Sequence, residues 1–153
     1  MQRTRTSVAV ALAIALVAHS GASAAQKVNW KFSSWGNPRA FTKGIEVLAD
    51  TVAKQSGGNF TINIGMGEQF SKARENLDSI KINAIDAAHF CNFYHPGKNP
   101  SFMVFSLPFL PLGEWDVSLK VRSTLFKHPA LVADMDNWNA MTYTKSHRSH
   151  VVL

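Results

Sequence analysis

The chain has 153 residues, 46% of them apolar and 17% charged, with one Cys and a formal charge of +6. The apolar share supplies a core and excludes a disordered chain, and a lone Cys excludes a disulfide framework or a Cys-rich zinc module. No apolar run reaches the roughly 18 residues of a membrane-spanning helix, so none is expected in the mature protein.

Residues 1–24 read as a secretory signal peptide. Arg3 and Arg5 give it a positive start, and Ser7 to Ala18 form an apolar run too short to span a bilayer. Ala22-Ser23-Ala24 is an A-x-A cleavage site. Export to the periplasm is therefore expected. Residues 25–144 carry a net charge of only +2. Such a body lacks the clustered basic face that nucleic acid requires. No GxxxxGK[ST] or GxGxxG loop signals a nucleotide.

Beyond the leader, strand and helix signals alternate. Val28, Trp30 and Phe32 alternate with polar residues and predict a strand over 27–34. Gly36-Asn37-Pro38 breaks it. Phe41, Ile45, Leu48, Ala49 and Val52 fall on one helical face, which predicts a helix over 39–55 that Gly57-Gly58 ends. Phe60, Ile62 and Ile64 predict a second strand. Ser71 is the expected N-cap of a helix over 72–82. Ile85 to Phe90 reads as a third strand, and residues 91–101, with Pro96, Gly97 and Pro100, as loop. Val104 to Leu112 holds two prolines and reads as extended or turning chain. Trp115–Phe126 and Pro129–Trp138 predict two further helices, split at His128-Pro129.

The order β-α-β-α-β implies an α/β fold with a parallel sheet and right-handed crossovers. Ligands of such sheets bind beyond the carboxyl ends of the strands. That rule selects Ser33 to Asn37, Gly65 to Gln69 and Phe90 to His95, which should converge in space. Trp35 and Asn37 read equally as ligand wall and donor or as packing and turn residues. Phe90 and Tyr94 are candidate pocket walls, with Lys98 or His95 near an anion, while Phe93 reads as a packing residue. Glu68 reads as a solvated charge or hinge contact, and Arg74 and Glu75 as a solvated face. His89, Cys91 and His95 are the residues that a metal or thiol site would use, but they make a poor zinc set. No Ser-His-Asp arrangement or close carboxylate pair appears, so no enzyme, cofactor or metal is expected.

The segments FSSWGNP (32–38), AKQSGGNFTINI (53–64), GEQFSKARENLDSIKINAIDAAHF (67–90), YHPGKNP (94–100) and LPFLP (107–111) resemble, in order and spacing, the periplasmic solute-binding proteins of TRAP transporters. The resemblance covers roughly 27–140. It implies a periplasmic-binding-protein-like first lobe over 25–143 that hands an organic acid, such as a dicarboxylate, to a TRAP membrane permease. By the same resemblance the ligand-facing positions are Ser34, Trp35, Asn37, Phe90, Cys91, Asn92 and Tyr94. Family members are about twice as long and hold the carboxylate with an Arg on a second lobe. That lobe is absent from this sequence. Residues 144–153 are basic and patternless and read as an unrelated, frame-shifted tail, and the chain as an incomplete, inactive fragment. Two other readings stand beside this one. One is an exported single-lobe module that binds a membrane partner protein. The other is a small exported metal or thiol protein.

Overall fold

The computed structural model describes residues 26–110, 113–145 and 150–152. The predicted leader, Pro111 and Leu112 of the extended segment, and residues 146–149 of the tail lie outside these.

Strand β1 (Val28–Ser33) pairs in parallel with β2 (Phe60–Gly65), from Val28 opposite Phe60 to Ser33 opposite Gly65. On its other side β1 pairs in parallel with β3 (Ala87–Phe90), Phe32 opposite Ala87. Helix α1 (Lys43–Gln55) makes the first crossover and α2 (Asn76–Lys81) the second. The parallel core expected from the β-α-β-α-β order is thus the observed one. Asp86 fastens the start of β3 to β1, since its carboxylate accepts the Lys31 N–H at 2.7 Å and its own N–H reaches the Lys31 carbonyl.

Helix α1 forms because its apolar residues recur at helical spacing: Ile45 and Ala49 are buried and Leu48 is half-buried. Gly57 and Gly58 have φ of 58° and 80°, the left-handed conformation that stops a helix. The second crossover differs from expectation at its start. A 3-10 turn over Ala73–Glu75 precedes α2, and Ser71 does not cap it. The Ser71 hydroxyl instead meets that of Ser79 at 2.9 Å. The orphan N–H of Ala73 donates to Glu68 Oε1 at 2.9 Å, so a carboxylate from the preceding loop does the capping.

Helix reaches from the expected loop into the segment read as extended or turning. Pro100–Ser106 is a 3-10 helix, with Pro100 at its first position, where a missing N–H costs nothing. It stops at Leu107, which is extended (φ −65°, ψ 136°) as a residue before proline must be. Residues Asn92–Tyr94 form another short 3-10 turn inside the expected loop. Helices α3 (Trp115–Leu125) and α4 (Pro129–Asp136) follow, split at His128-Pro129, and His128 Nδ1 accepts the Ala130 N–H.

The tail is not patternless. Strand β4 (Thr142–Lys145) and β5 (His150–Val152) extend the sheet to the order β2-β1-β3-β5-β4, with β5 antiparallel to both neighbours. Val151 and Val152 are β-branched and suit a strand, which a reading of net charge overlooks.

Candidate functional site at the strand ends

Side chains alternate across β3. Ala87 packs with Phe32 and Ile45 on the α1 face, whereas Ala88 and Phe90 join Leu77, Ile80, Phe102, Leu131 and Met135 on the other. The strand ends meet above this layer. The Ser34 N–H donates to the Gly65 carbonyl, the Glu68 N–H to the Ser34 carbonyl at 2.9 Å, and the Gly67 N–H to the Gly36 carbonyl at 3.1 Å. Gly67 (φ 62°) and Glu68 (φ 66°) take left-handed conformations to make this turn. Two of the three predicted strand-end segments are therefore bonded to each other.

The third joins them through rings and a polar pair. Trp35 lies edge-on to Tyr94, with ring centroids 6.3 Å apart. Ser34 Oγ and His89 Nδ1 lie 3.0 Å apart. Trp35 is also stacked on Phe41 at 4.7 Å and 18°. Its indole N–H is buried and, among the described residues, without an acceptor. Trp35, Gly36, Asn37, Arg39, Gly67 and Glu68 border a hollow of about 350 Å³. A larger hollow of about 570 Å³, bordered by Trp30, Asp136, Asn139, Ala140 and Met141, lies toward the other end of β1, away from this convergence.

The seven residues assigned by resemblance separate into two sets. Trp35 and Tyr94 are half-buried, Asn37 is exposed, and Cys91 is a free thiol of intermediate exposure. Ser34, Phe90 and Asn92 belong to the interior. Ser34 is spent on His89. Phe90 is stacked on His95 at 5.0 Å and meets Phe102 edge-on. The Asn92 amide donates to Ser106 Oγ at 2.7 Å. These three are engaged within the interior.

The cations also divide. Lys98 is ion-paired with Asp78 and lies 5.2 Å from the Trp138 ring centroid, so it braces α2. Arg74 sits 5.6 Å from the Tyr94 ring centroid. Arg39, absent from the sequence reading, stands in the hollow. Its place two residues after Asn37 in a strand-end loop was the available signal. Glu68 is likewise more than a solvated charge, since it closes the α2 turn and borders the hollow.

The histidines are not placed for joint metal binding. His89 meets Phe32 and Phe41 on the α1 face, while His95 stacks on Phe90 on the opposite face. Burial pushes His89 down to about 4. Burial, helped by the Lys98 cation, pushes His95 down to about 4 as well. Both rings are neutral at pH 7, which is how an imidazole is accommodated in a core. Among the described residues no group of three His, Cys, Asp or Glu side chains is placed to hold a metal ion. Nor is any described helix long and apolar enough to cross a membrane.

Three solved receptors share this fold. DctP6 of Bordetella pertussis, an extracytoplasmic solute receptor binding pyroglutamic acid, superposes with a TM-score of 0.66 at 19% identity over 75% of this chain. A TRAP periplasmic solute-binding protein of Ochrobactrum anthropi gives 0.66 at 18% identity over 77%. A marine metagenome TRAP solute-binding protein specific for aromatic acids, solved with 3-hydroxybenzoate, gives 0.63 at 22% identity over 73%. The chain spans 38%, 37% and 35% of these proteins' lengths. The part it matches is their first lobe. The family model for bacterial extracellular solute-binding protein, family 7, matches residues 33–128, from the last residue of β1 to the residue before α4. That span contains all three converging strand ends, and on it the chain belongs to family 7 of the bacterial extracellular solute-binding proteins, the DctP family of TRAP-type extracytoplasmic receptors rather than enzymes.

Proposed function

We propose that this chain supplies the first lobe of a receptor that captures an organic acid outside the cytoplasm and presents it to a TRAP-type membrane permease. The observation that carries this reading is that the first two strand-end loops border one hollow and the third reaches it through Tyr94, edge-on to Trp35 on the hollow's rim. Concave, partly aromatic sites with a few placed polar groups suit small ligands. Trp35, Asn37, Cys91 and Tyr94 are the ligand-facing side chains in this proposal, and Ser34, Phe90 and Asn92 support them from below. The acids bound by the receptors of like fold, pyroglutamate and 3-hydroxybenzoate, each carry one ring and one carboxylate, and such an acid suits a hollow of this size. Export rests on residues 1–24, and Ala25 is then the first residue of the mature protein.

Calorimetric titration of the purified chain with a panel of monocarboxylates and dicarboxylates tests the reading. At least one acid should bind, and Trp35→Ala should weaken it by about tenfold or more, the scale of a lost aromatic wall. A panel in which no acid binds, or a Trp35→Ala variant with unchanged affinity, overturns it.

A second reading, a docking module for a membrane partner, draws on Leu107 and Phe109. Phe109 is 100% exposed and Leu107 57%, both within the family-like L-P-F-L-P run. An exposed apolar pair in one loop is the sort of feature that marks an interaction surface. A Phe109→Ser variant that retains acid binding but loses permease-dependent uptake would assign the loop to that contact.

A further inference from the structure

We infer that Glu68 is a positioning residue: by tying the loop after β2 to the turn that opens α2, it sets where the Tyr94 ring stands beside Trp35 at the hollow. The consequence for ligand affinity rests on the acid-receptor reading above. The tie itself is a property of the unliganded chain and is tested apart from it.

Left-handed backbone is uncommon in residues other than glycine and persists only where the surroundings demand it. Glu68 has φ 66°, directly after Gly67 at 62°. Glycine would take that conformation at lower cost, so the side chain has a task at this position. Its backbone and its carboxylate hold different segments. The Glu68 N–H donates to the Ser34 carbonyl at 2.9 Å, one residue before Trp35. Glu68 Oε1 accepts the Ala73 N–H at 2.9 Å, one residue before Arg74. The Arg74 guanidinium carbon lies 5.6 Å from the Tyr94 ring centroid. Tyr94 in turn meets Trp35 edge-on at 6.3 Å. The contacts thus close a circuit from Trp35 through Glu68, Arg74 and Tyr94 back to Trp35.

Glu68 is the vulnerable link of that circuit. Ala73 is buried, and Lys72 at the head of its turn supplies no side-chain cap. Without the Glu68 oxygen the Ala73 N–H would be a buried orphan, so the turn must shift to bring it to water. Arg74 moves with the turn. The third loop is drawn along, because the Lys98 ammonium donates to the Arg74 carbonyl at 3.4 Å. Tyr94 then loses its place opposite Trp35.

The test uses the full chain with 3-fluorotyrosine in place of tyrosine. The chain has two tyrosines, and Tyr94→Phe identifies the fluorine resonance that belongs to Tyr94. Without ligand, Glu68→Ala should shift that resonance. Glu68→Gln, whose amide oxygen accepts the same hydrogen bond, should leave it at the wild-type position, as should Ser71→Ala. Arg74→Ala should also shift it, and adding Glu68→Ala to Arg74→Ala should shift it no further, as expected of links in one chain. Both Glu68 variants remove the same charge, so their difference isolates the hydrogen bond. For an acid of the panel that binds wild type, Glu68→Ala should bind about threefold or more weakly than Glu68→Gln, a fraction of the tenfold that 1.4 kcal/mol gives. Unfolding curves confirm that each variant is folded. If the Tyr94 resonance does not move in Glu68→Ala, or moves as far in Glu68→Gln, the inference fails while the acid-receptor reading stands. If the resonance responds as expected but the two variants bind the acid equally, the positioning role fails. If no acid binds wild type, the acid-receptor reading falls, and the fluorine shifts alone decide the tie.

Discussion

On the α1 face of the sheet, Phe32, Ile45 and Ala87 are the buried apolar core, with Trp30, Leu48, Ile62 and Ile64 half-buried around them. The opposite face buries Leu77, Ile80, Ile85, Ala88, Phe90, Phe102, Leu131, Met135 and Ala140, drawn from both crossover and C-terminal segments. Stability follows buried apolar area, so the second face carries most of it. The thinner face ends in the Trp35–Phe41–Arg39 stack and the hollow, and its aromatics are only half-buried. The contrast separates two duties. One face fixes the fold, and the other ends in rings and a cation that are only partly covered.

The comparison can be broken most directly by truncating each core. Leu77→Ala on the thick face should cost about 4 kcal/mol, and Ile45→Ala on the thin face about 2 kcal/mol, within the range for large-to-small core changes. Chemical denaturation measures both, and equal losses would refute the unequal division. The next effect is acid sensitivity. A His in the unfolded chain titrates near 6.5, while folded His89 and His95 titrate at about 4. Between those values the unfolded chain binds more protons. Stability is therefore complete above about pH 6.5, falls as the pH is lowered toward 4, and levels off below, a loss on the order of a few kcal/mol. His95→Phe preserves the stack on Phe90 and should remove about half of that loss in denaturation curves taken at pH 7.5 and 4.5.

A smaller effect is expected at Gly65, where a Cβ would stand 2.5 Å from Phe70 Cδ2. Phe70 packs against the thick-face core. Gly65→Ala should then cost about 1–3 kcal/mol by overpacking, read as a lowered thermal midpoint. Least of all, Glu68→Ala should cost about 1 kcal/mol by uncapping the turn into α2. Ser71→Ala should leave that cap intact, and amide exchange at Ala73 distinguishes the two.

Much of the chain declares itself locally. The period of apolar residues marks β1, α1, β2 and the two C-terminal helices, because each must present one apolar face to a core. Gly57-Gly58 and His128-Pro129 mark boundaries because they fix or free backbone dihedrals. The strand-end rule then names three segments that do converge, since parallel crossovers place successive strand ends on the same side.

Other features depended on partners distant in sequence. Ser71 carries every local sign of an N-cap, yet Glu68 does that work because the left-handed turn at Gly67 and Glu68 brings the carboxylate to Ala73. Phe90 could have faced cleft or core, and the register of β3 against β1 put it in the core. Lys98 and Arg39 are both loop cations in the sequence. Asp78 on α2 engaged the first, while the stacked rings of Trp35 and Phe41 positioned the second. The sequence by itself determined the order of elements, the apolar faces and the end of the sheet at which the candidate site lies, since these follow from spacing along the chain. Only the tertiary structure decided which side chains at that end are engaged and which stand open, because that depends on contacts between residues far apart in sequence.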